Sequence, residues 1–171
     1  LNLELKGEIE SGRIQLTMEP RGLVVSFTQA VLFPSGEDVI PETAWQSLEK
    51  VAAALTKIPN PARLEGHTDS LPIKNSRFRS NWELSAARSI ALLEVLSAHF
   101  HAPRERISIA GYADNAPLAS NNTAEGRARN RRVDVVVLSE QGVLAEPGAR
   151  GPGSIPNSDH PSAGPGKTIL K

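Results

Sequence analysis

Apolar positions along this chain switch between a period of two and a period near three and a half, and each switch marks an element. Ile14, Leu16 and Met18 alternate with polar residues, Pro20-Arg21-Gly22 supplies turn chemistry, and Leu23 to Phe27 reads as a second strand, so this stretch predicts a hairpin. Ala44, Trp45, Leu48, Val51, Ala52 and Leu55 then recur at helical spacing between Pro41, suited to a first helical position, and Pro59, which stops the run. Arg63 to Gly66 makes a short strand. A second helix opens at Ser80, with Glu83 in capping-box spacing, and carries Leu84, Ala87, Ala91, Leu92, Val95 and Leu96 on one face up to Pro103. Ile107 to Ala110 and Arg132 to Leu138 complete the strands, the last with Val133, Val135 and Val137 at alternate positions. Helices alternating with strands after a hairpin predict one sheet with helices packed on one face, an α/β (α+β) sandwich.

The two ends read differently. Leu1, Leu5 and Ile9 fall at helical spacing and suit a short helix or connector, so 1–21 is assigned to a connector and the first strand, and 22–141 to the patterned domain. From Gly142 to Lys171 there are 6 Gly and 5 Pro with scattered apolar residues, too few to offset the entropy of ordering, so 142–171 is expected to be a flexible tail. A length of 171 residues suits one domain with appendages. No run nears the roughly 18 apolar residues of a membrane span, and a start at Leu1 without a signal pattern reads as part of something longer.

Charge and composition remove several classes of function. Lys plus Arg equals Asp plus Glu at 19 each, and aromatic residues are 4%, which argues against a nucleic-acid partner. With no cysteine, thiolate metal sites and Cys nucleophiles are excluded. His67, His99, His101 and His160 show no paired-ligand spacing, so no metal is expected, and no cofactor motif is present.

Candidate chemistry gathers at Gly66-His67-Thr68-Asp69-Ser70, where a strand gives way to a polar loop. Ligands of open α/β sheets bind beyond the carboxyl ends of strands, so Asp69 stands where a site is expected. Arg88, two turns into the following helix, is placed to return beside it. Two readings stay open: a structural Asp69–Arg88 salt bridge, or a receptor for a zwitterion in which the carboxylate takes an ammonium and the guanidinium a carboxylate. The helix start near Ser80 and Asn81 favours the same anion. A compressed His67-Asp69-Ser70 triad fails on geometry, since triad members come from separate elements. The run Asn121 to Arg132, rich in Arg and Asn, reads as a solvated helix face neutralised by Glu125 and Asp134, with some of its arginines free to line the cleft. Trp45, Trp82 and Phe78 read as packing residues, the latter two flanking the cleft as its wall.

Leu32-Phe33-Pro34-Ser35-Gly36, Glu65-Gly66-His67-Thr68-Asp69, Asn81-Trp82-Glu83-Leu84-Ser85-Ala86-Ala87-Arg88 and the Asn121 to Val133 segment, in that order, resemble the OmpA-like C-terminal (OmpA/MotB) domain family over about Gly22 to Leu138. The Ser70 to Ser85 stretch is most similar to its flagellar stator branch. That resemblance implies one mixed sheet and no enzymatic activity. It implies non-covalent peptidoglycan binding through the diaminopimelate of the stem peptide, held by Asp69 and Arg88, with Thr68, Asn81, Leu84 and Arg131 close by. Gly36 departs from relatives that place Asn at this turn. A periplasmic location, a membrane tether before Leu1 and a homodimer are also implied, the role being a wall anchor for a stator. Alternatives are an outer-membrane or secretion-system anchor and, from another class, a cell-wall hydrolase.

Overall fold

The computed structural model describes residues 5–147. The expected hairpin forms from β1 (Ile14–Glu19) and β2 (Gly22–Thr28), antiparallel and closed by the two residues Pro20 and Arg21. Gly22 closes it at a φ of +141°, where a side chain would run into the Val137 carbonyl, so only glycine fits. Strands β3 (Ala62–His67), β4 (Ile107–Gly111) and β5 (Arg132–Leu138) complete a sheet in the order β1-β2-β5-β3-β4. β5 is antiparallel to both β2 and β3, whereas β3 and β4 are parallel, so the sheet is mixed as the resemblance implied.

Before the sheet lies α1 (Lys6–Glu10), and α2 (Gln29–Leu32) follows β2. Leu5 is fully buried with Ile14, so the N-terminal segment belongs to the same core as the sheet. α3 (Trp45–Lys57) is led by a 3₁₀ turn at Glu42–Ala44, and Pro41 precedes that turn instead of opening the helix. It ends before Pro59 because the residue ahead of a proline is pushed out of helical geometry; Ile58 is extended at φ −113°, ψ 146°. α4 (Asn81–Glu94) stops as an α-helix eight residues short of the expected end and continues as a π-helical turn at Val95–His99. Leu48, Val51, Ala52 and Leu55 of α3, with Leu92 and Leu96, bury against Val25, Phe27, Leu64, Val133 and Val135. At about 1.5–3 kcal/mol per buried side chain, this face is the main source of stability.

Two further helices flank β5, one within the run read as a helix face and one where the sequence reading placed none. Ala124–Asn130 forms α5, capped by Thr123, whose hydroxyl accepts from the Gly126 amide at 3.1 Å. Glu140–Leu144 forms α6, capped in the same way by Ser139. It packs Val143 against Val24, Val136 and Leu138 on the sheet face away from α3 and α4. The tail boundary therefore moves past Leu144, and a short helix covers the second face. One well-placed cap and one apolar contact outweigh the Gly/Pro composition there. The expected tail over 148–171 lies outside the described residues, as does Leu1. No helix of the described residues is long and apolar enough to cross a membrane.

Candidate functional site

The carboxyl end of β3 and the first turns of α4 meet with almost no space between them. A side chain at Gly66 would stand 2.0 Å from the Ser85 carbonyl, and one at Gly111 2.8 Å from the Ala86 amide, so two glycines let the helix lie on the strands. Three elements then present the predicted residues to one cavity of about 480 Å³: Thr68 and Asp69 from the end of β3, Asn81, Leu84 and Arg88 along one face of α4, and Arg131 from the end of α5. All six sequence candidates thus converge. Their company was not foreseen: Gln29, Ser35, Gly36, Leu71, Pro72 and Ile73 form the remaining wall.

Asp69 is held from three sides. Its Oδ1 accepts from the Leu71 amide at 2.9 Å, and its Oδ2 accepts from Arg131 Nη1 at 2.6 Å. Thr68 Oγ1 donates to the Asp69 carbonyl, and Asn81 Nδ2 donates to the Asp69 and Leu71 carbonyls at 3.3 and 3.0 Å. The carboxylate partner is therefore Arg131, not Arg88, which corrects the salt-bridge reading. The reason is reach: Arg88 is drawn the other way, donating from Nε to the Glu37 carbonyl at 3.0 Å and from Nη1 to Gln29 Oε1 at 3.2 Å, with its guanidinium 5.1 Å from the Phe33 ring centre.

Arg88 is the anomaly of the site. It is 1% exposed, and its Nη2 is buried without a hydrogen-bond partner. Burial pushes its pKa down to about 10, with Asp38 opposing that shift, Arg131 adding to it and Asp69 opposing it. It still carries a proton at neutral pH. A buried guanidinium with an unsatisfied N–H is costly unless something accepts from it, and a carboxylate entering the cavity is a natural acceptor.

Side-chain amides of Asn130 and Asn121 hold the loops around the cavity. Asn130, fully buried, accepts from the Leu118 and Ala119 amides at 2.8 and 2.9 Å and donates to the Ala119 carbonyl and to Asn121 Oδ1. Asn121 Oδ1 in turn accepts from the Ser70 amide, next to Asp69. The Thr68 amide donates to the carbonyl of Ala113, a non-glycine residue at φ +51°. These contacts join residues from 9 to 51 positions apart across loops, so periodicity could not reveal them. The Asn121 to Arg132 run is not a solvated face throughout: Arg127 donates to the Asn121 carbonyl, Arg131 reaches the cavity, and Arg132 turns to the opposite side of the sheet. Trp82, 56% exposed, and Phe78, 4% exposed, do not line the cavity; Leu71, Pro72 and Ile73 take the wall role expected of them. Arg77 pairs with Asp38, tying the loop after β3 to the loop after α2. Gly36, at φ +73°, lies in the cavity wall and contributes no side chain there.

Residues 32–131 match the model of the OmpA family. The chain belongs to that family. It is 36% identical to Motility protein B of Bacillus subtilis over 129 residues, covering 74% of this chain and 49% of that protein. Among solved structures, the cell wall anchor of the T6SS from Pseudomonas aeruginosa superimposes with a TM-score of 0.75 at 34% identity, covering 82% of this chain and 97% of that one. The periplasmic domain of Helicobacter pylori MotB does so with a TM-score of 0.68 at 25% identity, covering 74% and 82%. The chain spans about half the length of the curated relatives it matches. These likenesses agree with the mixed sheet described above.

Proposed function

We propose that this OmpA-family chain binds peptidoglycan non-covalently through the diaminopimelate of the stem peptide, without catalysis. The observation that carries the reading is the buried, unpartnered Nη2 of Arg88 in the same cavity as the Asp69 carboxylate. An amino acid carrying both an ammonium and a carboxylate satisfies both groups: Asp69 accepts from the ammonium, and Arg88 donates to the carboxylate. Arg131 orients Asp69, Thr68 and Asn81 shape the loop around it, and Leu84 supplies an apolar wall for the ligand's methylene chain. Each charge-assisted hydrogen bond contributes about 1.5–3 kcal/mol, so a single site binds modestly, and a homodimer gains by avidity.

In this reading the domain sits in the periplasm, tethered to the inner membrane by a segment outside this chain, and fixes a MotB-like stator to the wall. A second assignment, a secretion-system anchor using the same cavity, is favoured by the near-complete overlap with the T6SS wall anchor. Calorimetric titration with a diaminopimelate stem peptide, beside its lysine counterpart, tests the chemistry. Binding of the first alone supports the reading, and equal binding of both, or of neither, defeats it. Asp69→Ala and Arg88→Ala are expected to abolish retention on insoluble peptidoglycan while circular dichroism stays native.

A further inference from the structure

The sheet face away from α3 and α4 carries a buried polar cluster that the cavity does not use. Glu65 and Asp134 are direct cross-strand partners on β3 and β5, and His67 lies two residues along β3 on the same face. All three are at most 2% exposed. One ligand atom from each falls within 4.8 Å of the others. His67 Nε2 stands 3.4 Å from Asp134 Oδ2 and 3.8 Å from Glu65 Oε2, and the Tyr112 ring stacks on the imidazole at 5.2 Å and 6°. Neither ring nitrogen of His67 has a hydrogen-bond partner, and neither does Asp134 Oδ1.

We propose that Glu65, His67 and Asp134 form a binding site for a divalent transition-metal cation, Zn²⁺ being the best fit. Imidazole nitrogen and carboxylate oxygen are both zinc ligands, and three protein donors leave a fourth tetrahedral position for water. Tetrahedral bonds of about 2.1 Å set neighbouring donor atoms about 3.4 Å apart, close to the two measured distances. The neighbouring arginines leave the necessary lone pairs free. Arg21 Nη1 takes both oxygens of Glu65, Arg63 Nε takes Oε1, and Arg132 Nε takes Asp134 Oδ2. A carboxylate oxygen accepts two bonds, so Glu65 Oε2 and Asp134 Oδ2, the oxygens facing His67, each keep one site, and Asp134 Oδ1 keeps both. Glu19 bonds Arg21 and Glu146 bonds Arg63, so four carboxylates face three guanidiniums and the surplus charge is negative. The arginines then act as outer partners that aim the carboxylates. Half-buried Tyr112, stacked on the imidazole, forms the outer layer of the cluster.

The cation would join β3 to β5 one residue before Thr68 and two before Asp69, bracing the strand end that presents them. This inference is independent of the ligand assigned to the cavity. It is tested on the full chain, stripped with chelator and titrated with ZnCl₂ by calorimetry and thermal melting. The expected result is one tight equivalent and, at a hundredfold excess over Kd, a melting temperature higher by about 5 °C. His67→Gln is expected to lose both effects. Should that variant fail to fold, imidazole NMR of the unaltered chain decides: one equivalent of Zn²⁺ is expected to move the His67 ring signals. Absence of binding at millimolar Zn²⁺, undiminished binding in folded His67→Gln, or ring shifts confined to His99, His101 and His160 would overturn the site.

Discussion

Two buried arginines, Arg88 and Arg132, sit on opposite sides of the same sheet and meet opposite circumstances. Arg132 donates from Nε to Asp134, from Nη1 to the Asn130 carbonyl at 3.4 Å and from Nη2 to the Ala116 carbonyl, beside further charges with partners of their own. Arg88 is more deeply buried, makes only two hydrogen bonds, neither to a carboxylate, and leaves Nη2 bare. The first arrangement holds loops and strands together. The second leaves hydrogen-bonding capacity for a visitor. Burial of a charge alone therefore does not mark a binding residue; the missing partner does.

The comparison breaks most visibly at Asp134. Replacing it with alanine strands Arg132 without its carboxylate, and the expected loss is about 3–5 kcal/mol of stability, read from the urea midpoint. Arg88→Met should behave in the opposite way. Stability is expected to change by less than about 1.5 kcal/mol, because the stem volume is kept and the burial penalty of the charge disappears, while affinity for the stem peptide falls about 100-fold by calorimetry. Comparable destabilisation by both variants would erase the distinction.

Acid separates the two regions more gently. Burial alone would raise the Glu65 carboxyl, but the facing His67 and the guanidiniums of Arg21 and Arg63 outweigh it and hold its pKa at about 2 against an ordinary 4.5. A depressed folded-state pKa gives stability that is full above pH 4.5 and lost as pH falls toward 2. Denaturation curves between those limits should therefore slope less in Glu65→Gln than in the unaltered chain. The smallest expected effect lies at the cap of α4. Ser80→Ala, which removes the acceptor for the Glu83 amide, is expected to cost about 1 kcal/mol in thermal unfolding and leave binding unchanged.

What the sequence disclosed follows from how local each cause is. Ser80 and Glu83 announced α4, and the alternating valines announced β5, because a period or a cap is written within a few neighbours. Asp69 and Arg88 were legible as a pair of opposite charges flanking a strand end. Their actual partners were not, since Arg131, Gln29 and Glu37 come from segments about 50 to 60 residues away. Glu65, His67 and Asp134 occupy the alternate positions that a one-sided sheet would turn to solvent, so their burial emerges only once the loop bearing Tyr112 and helix α6 cover that face. α6 was masked by composition.

The contact between Gly66 and Ser85 makes the cavity behave as a caliper. One jaw, carrying Asp69, extends from β3, and the other, carrying Arg88, extends from α4; the glycine is the pivot on which they close. Any side chain there would force the Ser85 carbonyl from 2.0 Å to at least the 3.4 Å of ordinary contact, opening the jaws by more than 1 Å at the hinge. The gap between the Asp69 and Arg88 jaws is set by that one absent methyl group. Under the proposed function, a ligand one methylene longer or shorter is expected to be rejected by a residue it never touches.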